Sequence, residues 1–138
     1  MKAVLQARAV EKKFGAVVAA ANINIDIFAG ERVSLIGSNG AGKTTFVNMI
    51  TGYLKPDQGQ ILLDGHDITP LYPRAITHLG VARSFQIPQV YGELNVLENM
   101  LVANACHDQR LSFWQPARRR QAIERADALL DRFALTEH

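Results

Sequence analysis

The stretch GSNGAGKTT, residues 37–45, follows the apolar run RVSLI at residues 32–36, and it decides the fold. Its first eight residues match the spacing G-x-x-x-x-G-K-[ST] of a phosphate-binding loop. The segment before the loop, RVSLIG at residues 32–37, has the composition of a buried strand. The segment after it, from Lys43 to about Thr51, has a helical pattern. A loop of this spacing between a strand and a helix predicts a site for phosphate groups.

The residue types in the loop fit that chemistry. Glycines let the backbone turn tightly and approach an anion without a Cβ clash, and the N–H groups at the helix start point at it. Lys43 is predicted to reach the β and γ phosphates, Thr44 to bind Mg²⁺, and Thr45 to reach the α phosphate. A dinucleotide loop has the different spacing G-x-G-x-x-G. The predicted binding set is Gly37, Ser38, Asn39, Gly40, Ala41, Gly42, Lys43, Thr44 and Thr45.

The rest of the chain reads as strands followed by helices. Residues 3–10 and 22–28 alternate apolar and polar side chains, which is typical of half-buried strands. Further strands are predicted at 60–65 and 81–85. Helices are predicted at 73–78, from Asn95, and over about 116–133. The apolar face of the last helix consists of Ala122, Ala126, Leu129, Leu130 and Phe133. Pro88 and Gly92 interrupt regular secondary structure near 87–94. They predict a boundary between a nucleotide-binding core over 1–88 and the start of a helical subdomain over 89–138.

Composition excludes several classes of protein. The 138 residues carry a formal net charge of +2, so no strong field attracts nucleic acid, and no aromatic side chains interleave with Arg118–Arg120. The single cysteine excludes an internal disulfide and leaves no metal-ligand spacing. No apolar run approaches the ~18 residues that span a bilayer, and the N-terminus is a poor signal peptide. We therefore expect a cytosolic protein.

Two stretches, residues 9–68 and 80–103, resemble the ATP-binding subunits of ABC transporters, most closely those of branched-chain amino acid importers. The resemblance implies an α/β P-loop NTPase fold with an ABC ATPase-type core and a peripheral antiparallel sheet. It implies that Phe14 stacks on adenine and that Gln86, in the Q-loop, contacts Mg²⁺ and the attacking water and forms a hinge. ATP and Mg²⁺ are the implied cofactors. Ser38 departs from the proline that is frequent in the family, but the backbone cradle does not depend on that side chain.

The same resemblance implies partners and a location. The segment at about 87–102 would face a membrane-spanning transporter subunit, and a second ATP-binding subunit would complete a dimer. The protein would then be cytoplasmic and peripheral on the inner face of the membrane. Two simpler interpretations stay open: Phe14 as an ordinary packing aromatic, and Gln86 as a polar residue at a strand end.

The 138 residues lack several parts of an ABC ATPase. The sequence has no Ser-Gly-Gly signature and no acidic strand ending in Asp-Glu. Asp64 follows a strand of the peripheral sheet and precedes Gly65, while Asp131 lies in a helical pattern. The chain therefore resembles the N-terminal portion only, truncated before those motifs and before the switch histidine. In this family the strands flanking RVSLIG include downstream ones, so we expect an unpaired strand, exposed apolar side chains and self-association.

Three functional hypotheses follow. The first is part of a transport ATPase that couples ATP binding and hydrolysis to import of branched-chain amino acids or a similar small solute. The alternative is a non-hydrolysing Mg-ATP-binding module, so the sequence leaves open whether these 138 residues are an enzyme. A GTPase or small-molecule kinase is disfavoured because neither N-K-x-D nor D-x-x-G occurs and no acceptor site lies near Arg118–Arg120.

Overall fold

A computed structural model describes residues 2–85, 87, 90–107 and 116–133. The chain divides into two compact units, Met1–Arg83 and Ser84–His138. The first unit contains the strands, the phosphate-loop segment and two short helices, and the second contains two longer helices. The domain limits predicted from the sequence, 1–88 and 89–138, stay predictions.

An antiparallel sheet of four strands forms the frame of the first unit. Its strands are β1 (Ala3–Phe14), β2 (Val17–Phe28), β3 (Gln58–Leu63) and β4 (His66–Asp67), in the order β2-β1-β3-β4. The first two are longer than the alternating segments predict, because the tight turn at residues 15–16 joins them into one hairpin. Asp64 lies in the turn after β3, with a φ of 51°, and so belongs to this peripheral sheet as predicted.

Two helices complete the first unit. Helix α1 spans Lys43–Ile50, and α2 spans Pro73–His78 as predicted, with proline at its first position. Phe46 and Met49 of α1 are buried against residues of the sheet. The buried core of this unit consists of Ala7, Val10, Ala20, Phe46, Met49, Ile61, Ile68 and Ile76. Burial of these side chains is the main stabilising term, at roughly 25 cal/mol per Å² of apolar surface.

The two predicted core strands at 32–37 and 81–85 are not strands in the structure. A strand satisfies its backbone groups through a neighbouring strand, and local sequence cannot supply that neighbour. No backbone hydrogen bond joins 32–37 to another described segment. Ile36 is 89% exposed, and Val33 and Leu35 are exposed as well. The sequence prediction of a buried strand is therefore wrong here, and the expected exposure of its apolar side chains is found.

Segment 81–85 is held by a side chain. Arg83 Nη1 donates to Asn48 Oδ1 of α1 at 2.6 Å, and the guanidinium lies 5.9 Å from the centroid of the Tyr53 ring. Val81 packs against the core. Residues 81–83 are thus held against α1 and the core although they form no strand.

The second unit contains α3 (Val96–His107) and α4 (Pro116–Arg132), which pack on each other. Asn95 and Glu98 cap α3 reciprocally: each side chain accepts from the other's backbone N–H, at 2.9 and 2.8 Å. On α4, Ala126 and Leu130 are buried, but Phe133, which follows the helix, is 73% exposed. The predicted apolar face is therefore buried only in part. No described helix is long and apolar enough to cross a bilayer.

The exposed side chains of segment 32–37 predict self-association of the chain. We expect light scattering after size exclusion to show concentration-dependent oligomers, because contiguous exposed apolar surface associates in water. Ile36→Lys should shift the population towards monomer, since a charge at an 89% exposed position resists burial. Leu79→Lys, at an exposed leucine of the same unit but outside segment 32–37, is the matched control. A wild-type chain that stays monomeric at all concentrations would contradict the prediction.

The β1–β2 pair predicts an acid-dependent contribution to stability. Hydrogen bonds from Gln6 and Arg8 hold the pKa of Asp26 below its ordinary value of 3.8. A carboxyl whose pKa is lowered by folding stabilises the fold above the unfolded pKa, and this stabilisation is lost as pH falls through the lowered value. Asp26→Asn should therefore lower the melting temperature at neutral pH but not well below pH 3.8. Asp127→Asn, on α4, is the control; a difference that persists in strong acid would count against this account.

Candidate nucleotide-binding site

The phosphate-loop motif forms one tight loop that leads directly into α1. Within it, the Ala41 N–H donates to the Ser38 carbonyl at 3.2 Å. Gly40 and Gly42 have φ of 84° and 81°, in the left-handed region that glycine adopts without strain. Helix α1 starts at Lys43, and the Phe46 N–H donates to the Gly42 carbonyl at 2.9 Å. The predicted residues 37–45 are thus brought together as a loop and the first turn of a helix.

Gly42 fixes the place of the loop on the sheet. A Cβ added to this residue would lie 2.0 Å from the Ala19 carbonyl oxygen of β2, which is far inside van der Waals contact. Loop and strand can approach this closely only because residue 42 has no side chain. Ala20, the next residue of β2, is buried in the core. The close packing therefore seats the loop on the most firmly held part of β2.

Lys43 closes the loop from the helix side. Its Nζ donates to the carbonyl oxygens of Gly37 and Ser38, both at 2.6 Å. The ammonium group is thereby held at the start of the loop. Its charge is available to a ligand whose anionic oxygens enter the same loop. The sequence predicted a phosphate contact for Lys43, and the structure adds its bonds to the loop backbone.

The N-terminus of α1 has no side-chain cap and no acidic residue in its first turn. The first N–H groups of a helix lack intrahelical acceptors, and the helix dipole makes this end partly positive. Since no carboxylate of the first turn neutralises it, the turn suits an anion from solution. The loop, its lysine and this helix end form a cradle for a polyphosphate.

The hydroxyl group of Thr44 is a suitable ligand for a magnesium ion. Thr44 is an exposed residue in the first turn of α1, directly after Lys43. The described residues contain no cluster of three or more His, Cys, Asp or Glu side chains that could hold a metal by themselves. A hydroxyl and phosphate oxygens are hard oxygen donors of the kind that Mg²⁺ prefers, so the fit requires a nucleotide as co-ligand.

An open cavity of ≈ 200 Å³ lies between β2 and the loop. Its walls are mostly apolar, so it does not suit a charged phosphate chain. It is continuous with the exposed segment 32–37 and belongs to the uncovered apolar side of that segment. The lining residues are Ala19, Ile23, Ile25, Leu35, Ile36, Ala41, Gly42, Lys43 and Phe46.

Phe14, the residue predicted to stack on a base, ends β1 and is 49% exposed. It pairs across the hairpin with Val17 of β2. The Phe14 ring is therefore not buried in the core. Its position is constrained by Lys12, whose Nζ lies 5.7 Å from the ring centroid. The structure leaves the stacking role itself as a prediction.

Two residues beside Phe14 were not singled out from the sequence. Lys12 forms an ion pair with Asp57 at 2.6 Å, and the other carboxylate oxygen of Asp57 accepts the backbone N–H of Lys13 at 2.7 Å. The sequence LKPDQGQ around Asp57, residues 54–60, is typical of a turn and does not indicate this contact. Lys12 could have been found from the sequence, because a side chain two positions before Phe14 lies on the same face of the strand. Asp57 could not have been found in this way, because it lies 45 residues from Lys12 in the chain.

Gln86, predicted to contact Mg²⁺ and the attacking water, lies outside the described residues. Arg83 and Phe85, just before it, are described, and Ile87 after it is strongly exposed. The role of Gln86 stays a prediction.

With this geometry in hand, comparison with known proteins is informative. Residues 20–138 match the family model for ABC transporters. The chain is 40% identical over 135 residues to the high-affinity branched-chain amino acid transport ATP-binding protein LivG of Escherichia coli K12, covering 91% of this chain and 52% of that protein. It is 39% identical over 108 residues to the probable LivG of Archaeoglobus fulgidus, covering 78% of this chain and 42% of that protein. The chain thus spans about half the length of these relatives.

Solved structures give the same answer for the fold. The ATP-binding cassette MJ1267 of an ABC transporter superposes with a TM-score of 0.81 at 31% identity, covering 99% of this chain and 56% of that one. Its ADP conformation gives 0.79 at 30% identity, again over 99% and 56%. The dimeric cassette MJ0796, bound to ADP and Pi, gives 0.70 at 25% identity over 92% and 56%. The α/β P-loop fold of ABC ATP-binding cassettes, predicted from the sequence, is confirmed.

The contact between Gly42 and Ala19 predicts a graded response to two alanine substitutions. Gly40→Ala strains the backbone at a φ of 84°, but its Cβ meets nothing within 4 Å, so a cost of about 1–2 kcal/mol is expected. Gly42→Ala adds the clash at 2.0 Å with a backbone oxygen and must lift the loop off β2. We expect titrations with a fluorescent ATP analogue to show a much larger loss of affinity for Gly42→Ala. Equal losses in the two variants would show that the contact with β2 is unimportant.

Proposed function

The chain belongs to the ABC transporter family, and we propose that its first unit binds Mg-ATP as part of a transport ATPase. One observation carries the proposal: the glycine-rich loop at 37–42, closed by Lys43 and continued by an uncapped helix, is built to receive a polyphosphate. Backbone N–H groups and a fixed lysine recognise phosphate oxygens through charge-assisted hydrogen bonds.

Each residue of the cradle has a proposed part. The loop N–H groups surround the phosphate chain, Lys43 contributes the positive charge at the β and γ phosphates, and Thr45 contacts the α phosphate. Thr44 would hold Mg²⁺ through its hydroxyl, together with phosphate oxygens, and the contact of Gln86 with the ion stays a prediction. Bound Mg²⁺ would neutralise phosphate charge and orient the phosphate chain. Phe14 supplies a surface for the adenine ring.

We assign hydrolysis to the protein as a whole rather than to these 138 residues. Phosphoryl transfer to water needs a group that positions the nucleophile and further charge around the metal. The sequence has no Asp-Glu pair and no Ser-Gly-Gly run. Asp64 lies in a turn of the peripheral sheet, and Asp131 lies in α4, so neither follows a core strand.

For the whole protein we propose ATP-driven import of branched-chain amino acids or a similar small solute. The support comes from the LivG relatives, which are named for branched-chain amino acid transport. A second ATP-binding subunit is proposed by analogy with the dimeric cassette. This function would place the protein in the cytoplasm, on the inner face of the membrane, bound to transporter subunits.

The segment after Gln86 is the proposed contact with the membrane subunit. Ile87, Val90 and Tyr91 are exposed apolar side chains there. Asn99 of α3 holds residues 91–94 in place: its side chain accepts from the Tyr91 N–H at 2.8 Å and donates to the Tyr91 and Leu94 carbonyls. Exposed apolar side chains of this kind suit a protein partner.

The alternative function is a module that binds Mg-ATP without turnover. The absent acidic strand and signature favour this description for the 138 residues taken alone. The two functions differ in phosphate release, and the same variants test both.

The Lys43 contacts predict the first measurement. Lys43→Ala removes the charge and both bonds to the loop backbone, so ATP affinity measured by calorimetry with Mg²⁺ should fall about 10- to 150-fold, the range for hydrogen bonds to charged groups. Lys2→Ala, an exposed lysine near the N-terminus, is the matched control. Unchanged affinity in Lys43→Ala would overturn the proposed site.

Phosphate release from Mg-ATP, with Lys43→Ala as the background, separates the two functions. No release above this background is expected from the 138 residues. Release that disappears with Lys43→Ala would mean that these residues hydrolyse ATP, and the assignment of hydrolysis to other parts of the protein would fall.

A further inference from the structure

Phe14 is held in place by a small set of charged contacts. Lys12 and Phe14 lie two positions apart on β1 and so share a face of the strand. The Lys12 ammonium lies 5.7 Å from the ring centroid. The Lys12 side chain is itself only 14% exposed, which is low for a lysine on an open sheet.

Asp57 holds the strand end beneath the ring. Its carboxylate pairs with Lys12 Nζ at 2.6 Å and accepts the Lys13 N–H at 2.7 Å, while its own N–H donates to the Glu11 carbonyl at 2.8 Å. Asp57 therefore grips three consecutive residues that lead to Phe14. Lys12 is the mostly buried partner of this ion pair, and the three contacts together hold the backbone of residues 11–13 and the Lys12 side chain in one position.

We propose that Lys12 and Asp57 are positioning residues that make Phe14 a one-faced stacking platform for the base of the bound nucleotide; this rests on the proposed function. The ammonium covers one part of the ring, and the exposed remainder is left for the base. The attraction between the ammonium group and the ring quadrupole favours one orientation of the ring.

The platform and the phosphate cradle are anchored on the same strand. Phe14 pairs with Val17 of β2, and the Ala19 carbonyl, two residues further on, is the atom against which Gly42 packs. Both attachments therefore lie within residues 17–19 of β2, where the register with β1 is irregular.

The test separates base recognition from phosphate recognition by comparing ATP with inorganic tripolyphosphate. Affinities of both are measured on the full 138-residue chain for wild type, Phe14→Ala, Lys12→Met and Asp57→Asn. Lys13→Met is the matched control, because it removes the same charge one residue away, and the described contact of Lys13 with Asp57 uses its backbone. Lys12→Arg keeps the cation and serves as the rescue variant.

We expect Phe14→Ala to weaken ATP binding about tenfold or more, as loss of an aromatic stacking surface does. Lys12→Met and Asp57→Asn should weaken it about threefold, with Lys12→Arg and Lys13→Met near wild type. Tripolyphosphate affinity should stay unchanged throughout. A melting curve for each variant confirms that the fold is intact.

Three results would contradict the proposal, and each identifies a different part of it as wrong. Unchanged ATP affinity in Phe14→Ala would overturn the platform and leave phosphate binding standing. Equal losses for ATP and tripolyphosphate in Lys12→Met and Asp57→Asn would show that the pair supports the fold alone, and the inference would fall. A wild-type chain that binds neither probe would overturn the proposed function itself.

Discussion

The packing of Gly42 against the Ala19 carbonyl is the constraint on which the site depends. It demands a residue with no side chain and a left-handed φ at the same position, and glycine alone meets both demands without strain. Ala20 anchors this part of β2 in the core, and Phe46 anchors the helix that leaves the loop. The loop, β2 and α1 are therefore all held by the same buried core. A loop fixed in this way does not first have to be ordered when a ligand binds, which lowers the entropic cost of binding.

Much of this arrangement could be predicted from the sequence, because it depends on residues that are close in the chain. The loop motif fixes its glycines, its lysine and the start of α1 within nine residues, and the helix at 73–78 is marked by its proline. Segment 32–37 shows the limit. Its apolar residues favour a strand, yet a strand forms only with a neighbour that hydrogen-bonds to it, and no described segment does so.

Longer-range contacts were equally hidden in the sequence. Asp57 has the composition of an ordinary turn, and only the fold brings it to Lys12, 45 residues away. Arg83 reaches Asn48 across 35 residues for the same reason. On α4, periodicity identified the apolar side chains, but which of them are buried depends on α3, so Ala126 is covered while Phe133 is not. Local pattern predicts which residues can pack, and topology decides which of them do.

Helix α1 has a thermodynamic consequence that follows from its length and its open end. It has eight residues and no side-chain cap, and a helix so short is marginal in water without tertiary packing. A bound polyphosphate would take the part of the missing cap, so ligand binding and helix formation are linked equilibria. Any ligand that binds only the folded state raises the free energy of unfolding with the logarithm of its concentration. If the proposed nucleotide site is occupied, the nucleotide concentration contributes to the stability of the fold, and removal of the nucleotide would destabilise α1.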